Sequence, residues 1–169
     1  MVRTATINDI TQILEIYNYY IKETVVTFEI EQLDNVEMTR RFNETIDKYE
    51  WIVWQDERNN ILGYAYYNSF RPRAAYQYSV ESTVYLRHDS RAKGIGKQLY
   101  QELLKRFNKS KYRVILGTIS LPNEPSVRLH ELFGFKKVGH LESVGFKFGQ
   151  WIDVGYWQLS KSNKEPAKG

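Results

Sequence analysis

The run from residue 78 to residue 107 constrains this chain more than any other, because a strand pattern, a basic loop and a helix pattern follow one another without a gap. Residues 78–86 read Tyr-Ser-Val-Glu-Ser-Thr-Val-Tyr-Leu, rich in the β-branched and aromatic side chains that suit a pleated sheet. The loop is Arg91-Ala92-Lys93-Gly94-Ile95-Gly96-Lys97. Beyond it Ile95, Leu99, Leu103 and Phe107 recur at four-residue spacing, flanked by Tyr100 and Leu104, which gives a helix one apolar stripe. Residues 113–120 (Arg-Val-Ile-Leu-Gly-Thr-Ile-Ser) then read as a buried strand. A strand, a helix and a strand in that order make the helix a crossover and the two strands parallel. The loop itself is a phosphate cradle in physical terms. Glycine lets the backbone approach an anion, and the free N–H groups of a first helical turn point at it. Arg91, Lys93 and Lys97 add positive charge. The plainer reading is a basic connecting turn whose glycines only tighten the helix entry.

Length and composition narrow the class. A chain of 169 residues is expected to form one domain over residues 1–160 with a flexible tail over 161–169. A hydrophobic content of 42% argues against disorder. The chain has no cysteine, so neither a disulfide framework nor a thiolate metal site is expected. His88, His130 and His140 show no ligand spacing, and no metal is expected. No apolar run approaches the ~20 residues that span a bilayer, and no signal-peptide pattern opens the chain, so the expected location is cytoplasmic. A net charge of +4 suits an anionic cofactor and is too small to argue for nucleic acid.

The remaining elements follow from local pattern. Residues 2–5 form a short strand. Thr6 or Asn8 can cap a helix whose apolar positions run from Ile10 to Ile21. Residues 23–30 are β-prone, yet they follow that helix so closely that a loop bordering a pocket is the alternative. Asp34 or Asn35 can cap a second helix over 36–48 with Met38, Phe42 and Ile46 inside. Residues 51–55 and 61–70 form a hairpin across the polar turn 56–60. Arg71-Pro72-Arg73 interrupts before the strand at 78, and the three strands make a meander. Residues 123–133 form a short helix with Pro125 in its first turn and Gly134 as its left-handed cap. Residues 135–141 and 151–160 are the last strands, joined by a connector containing Gly145 and Gly149. The fold class is mixed α/β (α+β): a mostly antiparallel central sheet with flanking helices and one β-α-β crossover.

These residues and their order resemble the GNAT N-acetyltransferase superfamily. Arg91-Ala92-Lys93-Gly94-Ile95-Gly96 fits its Arg/Gln-x-x-Gly-x-Gly/Ala pyrophosphate loop. Asn123, Ser126 and His130 fall at the positions of its Asn-x-x-small-x-x-x-Tyr helix, and Gly134-Phe135 follows as its Gly-Phe pair. A closer similarity, to the phosphinothricin and methionine sulfone acetyltransferase branch, is carried by Thr27-Phe28, Arg73-Ala74-Ala75-Tyr76, Val80-Glu81-Ser82-Thr83-Val84-Tyr85, Leu129-His130-Glu131 and Gly145-Phe146-Lys147-Phe148-Gly149-Gln150-Trp151. Many members have Arg-Gly where this chain has Arg91-Ala92.

The resemblance implies acetyl-CoA as donor, a small amino-acid-like acceptor and a homodimer. It implies that Arg91, Ala92, Lys93, Gly94, Ile95, Gly96 and Lys97 hold the pyrophosphate. Pantetheine would lie along Val84, Tyr85 and Leu86, with Asn123 and Ser126 adding bonds. Asn123 can equally be a plain helix cap. Glu81, a carboxylate among apolar strand neighbours, is the expected base, against the alternative of a glutamate on a solvated strand face. His130 stands where the superfamily usually has a tyrosine acid, and acid, base or packing residue all remain open. Arg73 is expected to bind the acceptor's anionic end, with Tyr76 assisting. Phe28, Tyr78 and Trp151 are expected as pocket walls, and the Gly145–Gly149 stretch as a cover. Direct transfer in a ternary complex is expected, because no cysteine can carry the acetyl group. The alternatives are an acetyltransferase for another amine (a polyamine, an aminoglycoside, a protein N-terminus) and a CoA-binding sensor without catalysis.

Overall fold

The computed structural model describes residues 1–90 and 94–162. Seven strands share one sheet in the order β1-β2-β3-β4-β5-β7-β6. They are β1 (Val2–Thr4), β2 (Trp51–Gln55), β3 (Ile61–Ser69), β4 (Ser79–Leu86), β5 (Val114–Leu121), β6 (Lys136–Lys147) and β7 (Gln150–Ser160). Every neighbouring pair is antiparallel except β4 and β5. The helices are α1 (Ile10–Glu23), α2 (Asn35–Ile46), α3 (Ile95–Lys109) and α4 (Glu124–Leu132). The fold is thus the mixed, mostly antiparallel α/β class that the sequence pattern implies.

The sheet has a helical layer on each side. The stripe of α3 (Ile95, Leu99, Leu103 and Phe107) is buried against Ile52, Ala65, Tyr67 and Val80. Each such side chain contributes roughly 1.5–3 kcal/mol when fully buried. On the opposite face α1 and α2 cover Trp51, Val53 and Tyr64. Helix α2 starts where its cap dictates: Asp34 accepts the Glu37 N–H at 2.8 Å. Residues 24–34, despite their β-prone composition, take no regular structure and run as a loop between α1 and α2.

The last hairpin differs from expectation. The stretch 142–149 is mostly strand, and β6 continues to Lys147. Its extra residues are absorbed by a register shift between Leu141 and Gly145. That irregularity is pinned by Asp153, whose carboxylate accepts the Ser143 N–H at 2.8 Å while Ser143 sits at φ 51°. The turn is then only Phe148 and Gly149, with φ of 52° and 75°. Positive φ at both central residues matches the twist of paired strands. Trp151 and Tyr78 stand exposed and are not pocket walls; Trp151 packs on Phe146 with ring centroids 5.0 Å apart.

Lys161, the first residue of the expected tail, is held by two hydrogen bonds. Lys161 donates its N–H to the Arg113 carbonyl at 3.0 Å and its Nζ to the Ser110 carbonyl at 2.7 Å. Residues 163–169 lie outside the described residues. Among the described residues no helix is long and apolar enough to cross a membrane. No group of three or more His, Asp or Glu among them could hold a metal ion.

Candidate active site at the end of the parallel ladder

The parallel pairing of β4 with β5 runs from Ser79 and Val114 to Ser82 and Gly117, and ends there. Past that rung residues 83–86 stay paired with β3, and residues 118–121 with β7. A side-chain clamp marks the last rung: Ser82 Oγ donates to the Leu116 carbonyl at 2.9 Å and accepts from the buried Tyr100 hydroxyl at 2.8 Å. Beyond it the strands part, leaving a cavity of about 220 Å³. Its walls come from β4, β5, α4 and the loop 24–34.

Glu81 sits half-buried in this cleft. Burial raises its pKa above the ordinary glutamate value, with a hydrogen bond from Thr118 and the charge of Arg71 acting the other way. A carboxyl shifted this way holds a proton more readily, as a base that must accept one does.

His130 is only 4% exposed and lies between Tyr100 and Phe135. Its Nδ1–H donates to the Ser126 carbonyl at 2.8 Å, which leaves a lone pair on Nε2. Burial lowers its pKa. A neutral ring with Nδ1 protonated has no proton on Nε2 to give, so this geometry favours an acceptor or a packing role over a general acid. The ring rests on bare backbone: a Cβ at Gly117 would lie 2.2 Å from Nε2.

Asn123 caps α4 through Oδ1, which accepts the Ser126 N–H at 3.3 Å, and both residues line the cleft. Val84 and Tyr85 line it from β4. The Tyr85 ring is buried among Tyr17, Tyr20 and Tyr64, so only its backbone is available to a ligand. Leu86 departs from expectation. Its carbonyl accepts from the Tyr20 hydroxyl at 2.8 Å and its N–H donates to the same oxygen at 3.3 Å, which occupies both groups.

Gly94 caps α3 in the left-handed region at φ 75°, with open space where a Cβ would stand. Gly96 is packed on Leu86: an added Cβ would lie 3.3 Å from its Cδ1. The first turn of α3 therefore abuts the end of β4. Ile95 is a core side chain and only its backbone can face a ligand, while Lys97 is exposed. Arg91, Ala92 and Lys93 lie outside the described residues.

The expected acceptor contacts are not gathered in one place. Phe28 lines the cleft. Arg73 is exposed, precedes the single turn Ala74–Tyr76 and does not line the cleft. Tyr76 turns to Phe70, ring centroids 5.7 Å apart, and is likewise outside it. Arg71, two residues earlier on the same connector, is the guanidinium whose charge reaches Glu81.

Sequence reasoning missed Ser120. Its hydroxyl is buried, lines the cleft, and has no hydrogen-bond partner among the described residues. A buried unpaired hydroxyl is costly, so a ligand or water is its natural partner. No local pattern distinguishes it from any strand serine. The parted strands and the unpaired Ser120 hydroxyl offer polar groups to a ligand, and the N-terminus of α3, beside the end of β4, suits an anion.

A mixed sheet opened at a parallel rung, with a carboxyl of raised pKa inside, is a cleft suited to proton transfer. Residues 2–155 match the acetyltransferase (GNAT) domain family, and the chain belongs to that family as an N-acetyltransferase. A phosphinothricin N-acetyltransferase of Streptomyces viridochromogenes is 38% identical over 157 residues, 93% of this chain and 85% of its own length. An L-methionine sulfoximine/L-methionine sulfone acetyltransferase of Pseudomonas aeruginosa is 34% identical over 160 residues, 94% of this chain and 93% of its own length. The crystal structure of a GNAT superfamily phosphinothricin acetyltransferase from Sinorhizobium meliloti in complex with AcCoA superposes with a TM-score of 0.96 at 34% identity, covering 100% of this chain and 94% of that one.

Proposed function

We propose that the protein is an acetyl-CoA-dependent N-acetyltransferase acting on the α-amine of a small amino-acid-like molecule of the phosphinothricin or methionine sulfoximine type. The observation that carries this reading is the cleft at the end of the β4–β5 ladder, where Glu81 and the unpaired Ser120 hydroxyl face one space. The relatives' names support the choice of acceptor.

Bound acetyl-CoA supplies a thioester open to attack by an uncharged amine. An α-ammonium group has a reference pKa of about 8, so the site must take its proton. Glu81 accepts that proton, directly or through one water, and Thr118 keeps its carboxylate aligned. Val84 and Tyr85 offer backbone groups on the parted strand, and Asn123 and Ser120 face them across the gap. The N-terminus of α3 at Gly94 receives the phosphates, with Lys97 beside it. Arg91, Ala92 and Lys93 belong to this role by position in the loop. The acceptor's anionic end pairs with the Arg71–Arg73 connector, Arg71 being the closer to Glu81 in effect. The absence of cysteine from the sequence supports direct transfer between two bound substrates.

A thiol-release assay tests the reading with phosphinothricin, methionine sulfoximine, methionine sulfone, ordinary amino acids, spermidine and an aminoglycoside. Activity confined to the first three is expected. Turnover of spermidine or the aminoglycoside alone would discard the acceptor assignment and keep the acetyltransferase.

Ser120→Ala tests the donor side. Removing an unpaired buried hydroxyl is expected to leave the free protein as stable as wild type or slightly more so. Loss of one hydrogen bond to the ligand, worth about 0.5–1.5 kcal/mol, is expected to weaken acetyl-CoA binding by roughly 2–10-fold. Thermal shifts with and without acetyl-CoA measure both. An unchanged ligand-induced shift would mean that Ser120 faces water alone.

A further inference from the structure

Residues 24–34 have no regular structure, yet Val26, Thr27 and Phe28 wall the cleft. A loop keeps a wall in place only through anchors from rigid elements. Here the anchor is a buried cation. Lys147, the last residue of β6, is 4% exposed, and its Nζ donates to the Thr27 carbonyl at 2.9 Å. Gly145, two residues earlier on the same face of the strand, meets the Phe28 ring with bare backbone. A Cβ there would lie 2.4 Å from two of its carbons. From the helical side, Tyr17 shares a hydrogen bond of 3.0 Å with Thr27 Oγ1 and donates to Glu29 at 2.9 Å. Arg41 of α2 closes the network on Glu29.

Lysine is among the residues least often fully buried, because its charge loses water. Burial lowers the Lys147 pKa, and Glu29 only partly opposes this. A methionine of similar length would fill the same space without that desolvation. Methionine would not keep the two contacts that use the charge: the hydrogen bond to Thr27, a residue of the cleft wall, and the Phe148 ring, whose centroid lies 5.0 Å from Nζ.

We propose that Lys147 is a positioning residue for the acceptor: its ammonium grips the Thr27 carbonyl and seats residues 26–28 against the cleft, so that the end of the β6–β7 hairpin sets acceptor affinity. This rests on reading the cleft as the acceptor site. The bond lost in Lys147→Met is one to a charged group, large enough to loosen the wall appreciably.

The test uses Lys147→Met and Gly145→Ala, with methionine sulfone and acetyl-CoA as substrates. In Lys147→Met the KM for methionine sulfone is expected to rise about tenfold, the scale of one charge-assisted hydrogen bond. The kcat at saturation and the KM for acetyl-CoA stay within about twofold on the same reasoning, because their contacts lie on other elements. Gly145→Ala, which displaces Phe28 and keeps the ammonium, is expected to shift the same parameter in the same direction. Hydrogen exchange on the free protein supplies a readout independent of activity: amides of residues 26–29 exchange faster in Lys147→Met, while those of β4 and α3 do not. A merely structural lysine would instead raise both KM values and loosen the whole sheet. That pattern, or an unmoved methionine sulfone KM, or unchanged exchange at 26–29, would overturn the proposal. A wild type silent with every acceptor would remove the acceptor-site reading, while the exchange result would still decide whether Lys147 anchors the wall.

Discussion

Glu81→Gln is expected to lower kcat by at least about 10²-fold, the usual scale for loss of a positioned general base, with little change in either KM. Glutamine keeps the shape and can still meet Thr118, but it cannot accept a proton. The pH profile carries the sharper test. Burial raises the wild-type carboxyl, so the active, ionised form is lost as pH falls through a value above the ordinary glutamate range. The acid limb of kcat/KM should therefore lie above the ordinary glutamate value and should vanish in the variant. Stability should move the other way. A carboxyl whose folded pKa is raised contributes most stability at low pH, and that contribution is lost as pH rises through the folded value. At and above neutral pH the fold thus holds this ionised group at a cost, and Glu81→Gln should melt no lower than wild type there. Full turnover at saturating substrates would remove Glu81 from the role.

Gly117→Ala is expected to be the most damaging single-methyl change in the cleft. The new Cβ would stand 2.2 Å from His130 Nε2 and 2.4 Å from its Cδ2. The ring cannot yield easily, because Tyr100 and Phe135 flank it and Nδ1 is tied to the Ser126 carbonyl. Overpacking of this kind costs about 1–3 kcal/mol. For a chain of this size each kcal/mol lowers Tm by roughly 2–4 °C. Gly117 is also the last rung of the parallel ladder, so the same methyl pushes on the point where the strands part. Acetyl transfer should fall with stability, by about tenfold or more, since displacements near 1 Å at a reacting centre cost up to about 10²-fold. Gly139→Ala is the control. Its Cβ would meet Tyr156 at an ordinary 3.5 Å, and a change within about 0.5 kcal/mol is expected. Equal melting points for Gly117→Ala and wild type would show that His130 is free to move.

The two variants separate features that were legible along the chain from features that were not. Glu81 stood out in sequence because a carboxylate within an apolar strand pattern is conspicuous. Gly117 did not, since a glycine in a strand has no local signature that names what approaches it. The same division runs through the fold. The stripe of α3, the caps at Asp34 and Asn123, and the left-handed Gly134 are short-range features, set by helical period, by one side chain reaching a nearby N–H and by glycine's freedom at positive φ.

The amino-acid sequence by itself determined the element order, the crossover that makes β4 and β5 parallel, and the residue types offered to the site. Tertiary structure alone decided where that ladder ends, that β7 lies between β5 and β6, and that Ser120 finds no partner among the described residues. It also decided that Tyr20 takes the polar groups of Leu86, that burial raises the Glu81 pKa, and that Lys147 reaches Thr27 across 120 residues of chain. The physical reason is range. Period, propensity and capping are written in neighbouring residues, whereas pairing, desolvation and the seating of a buried charge depend on groups that meet only once the sheet has closed.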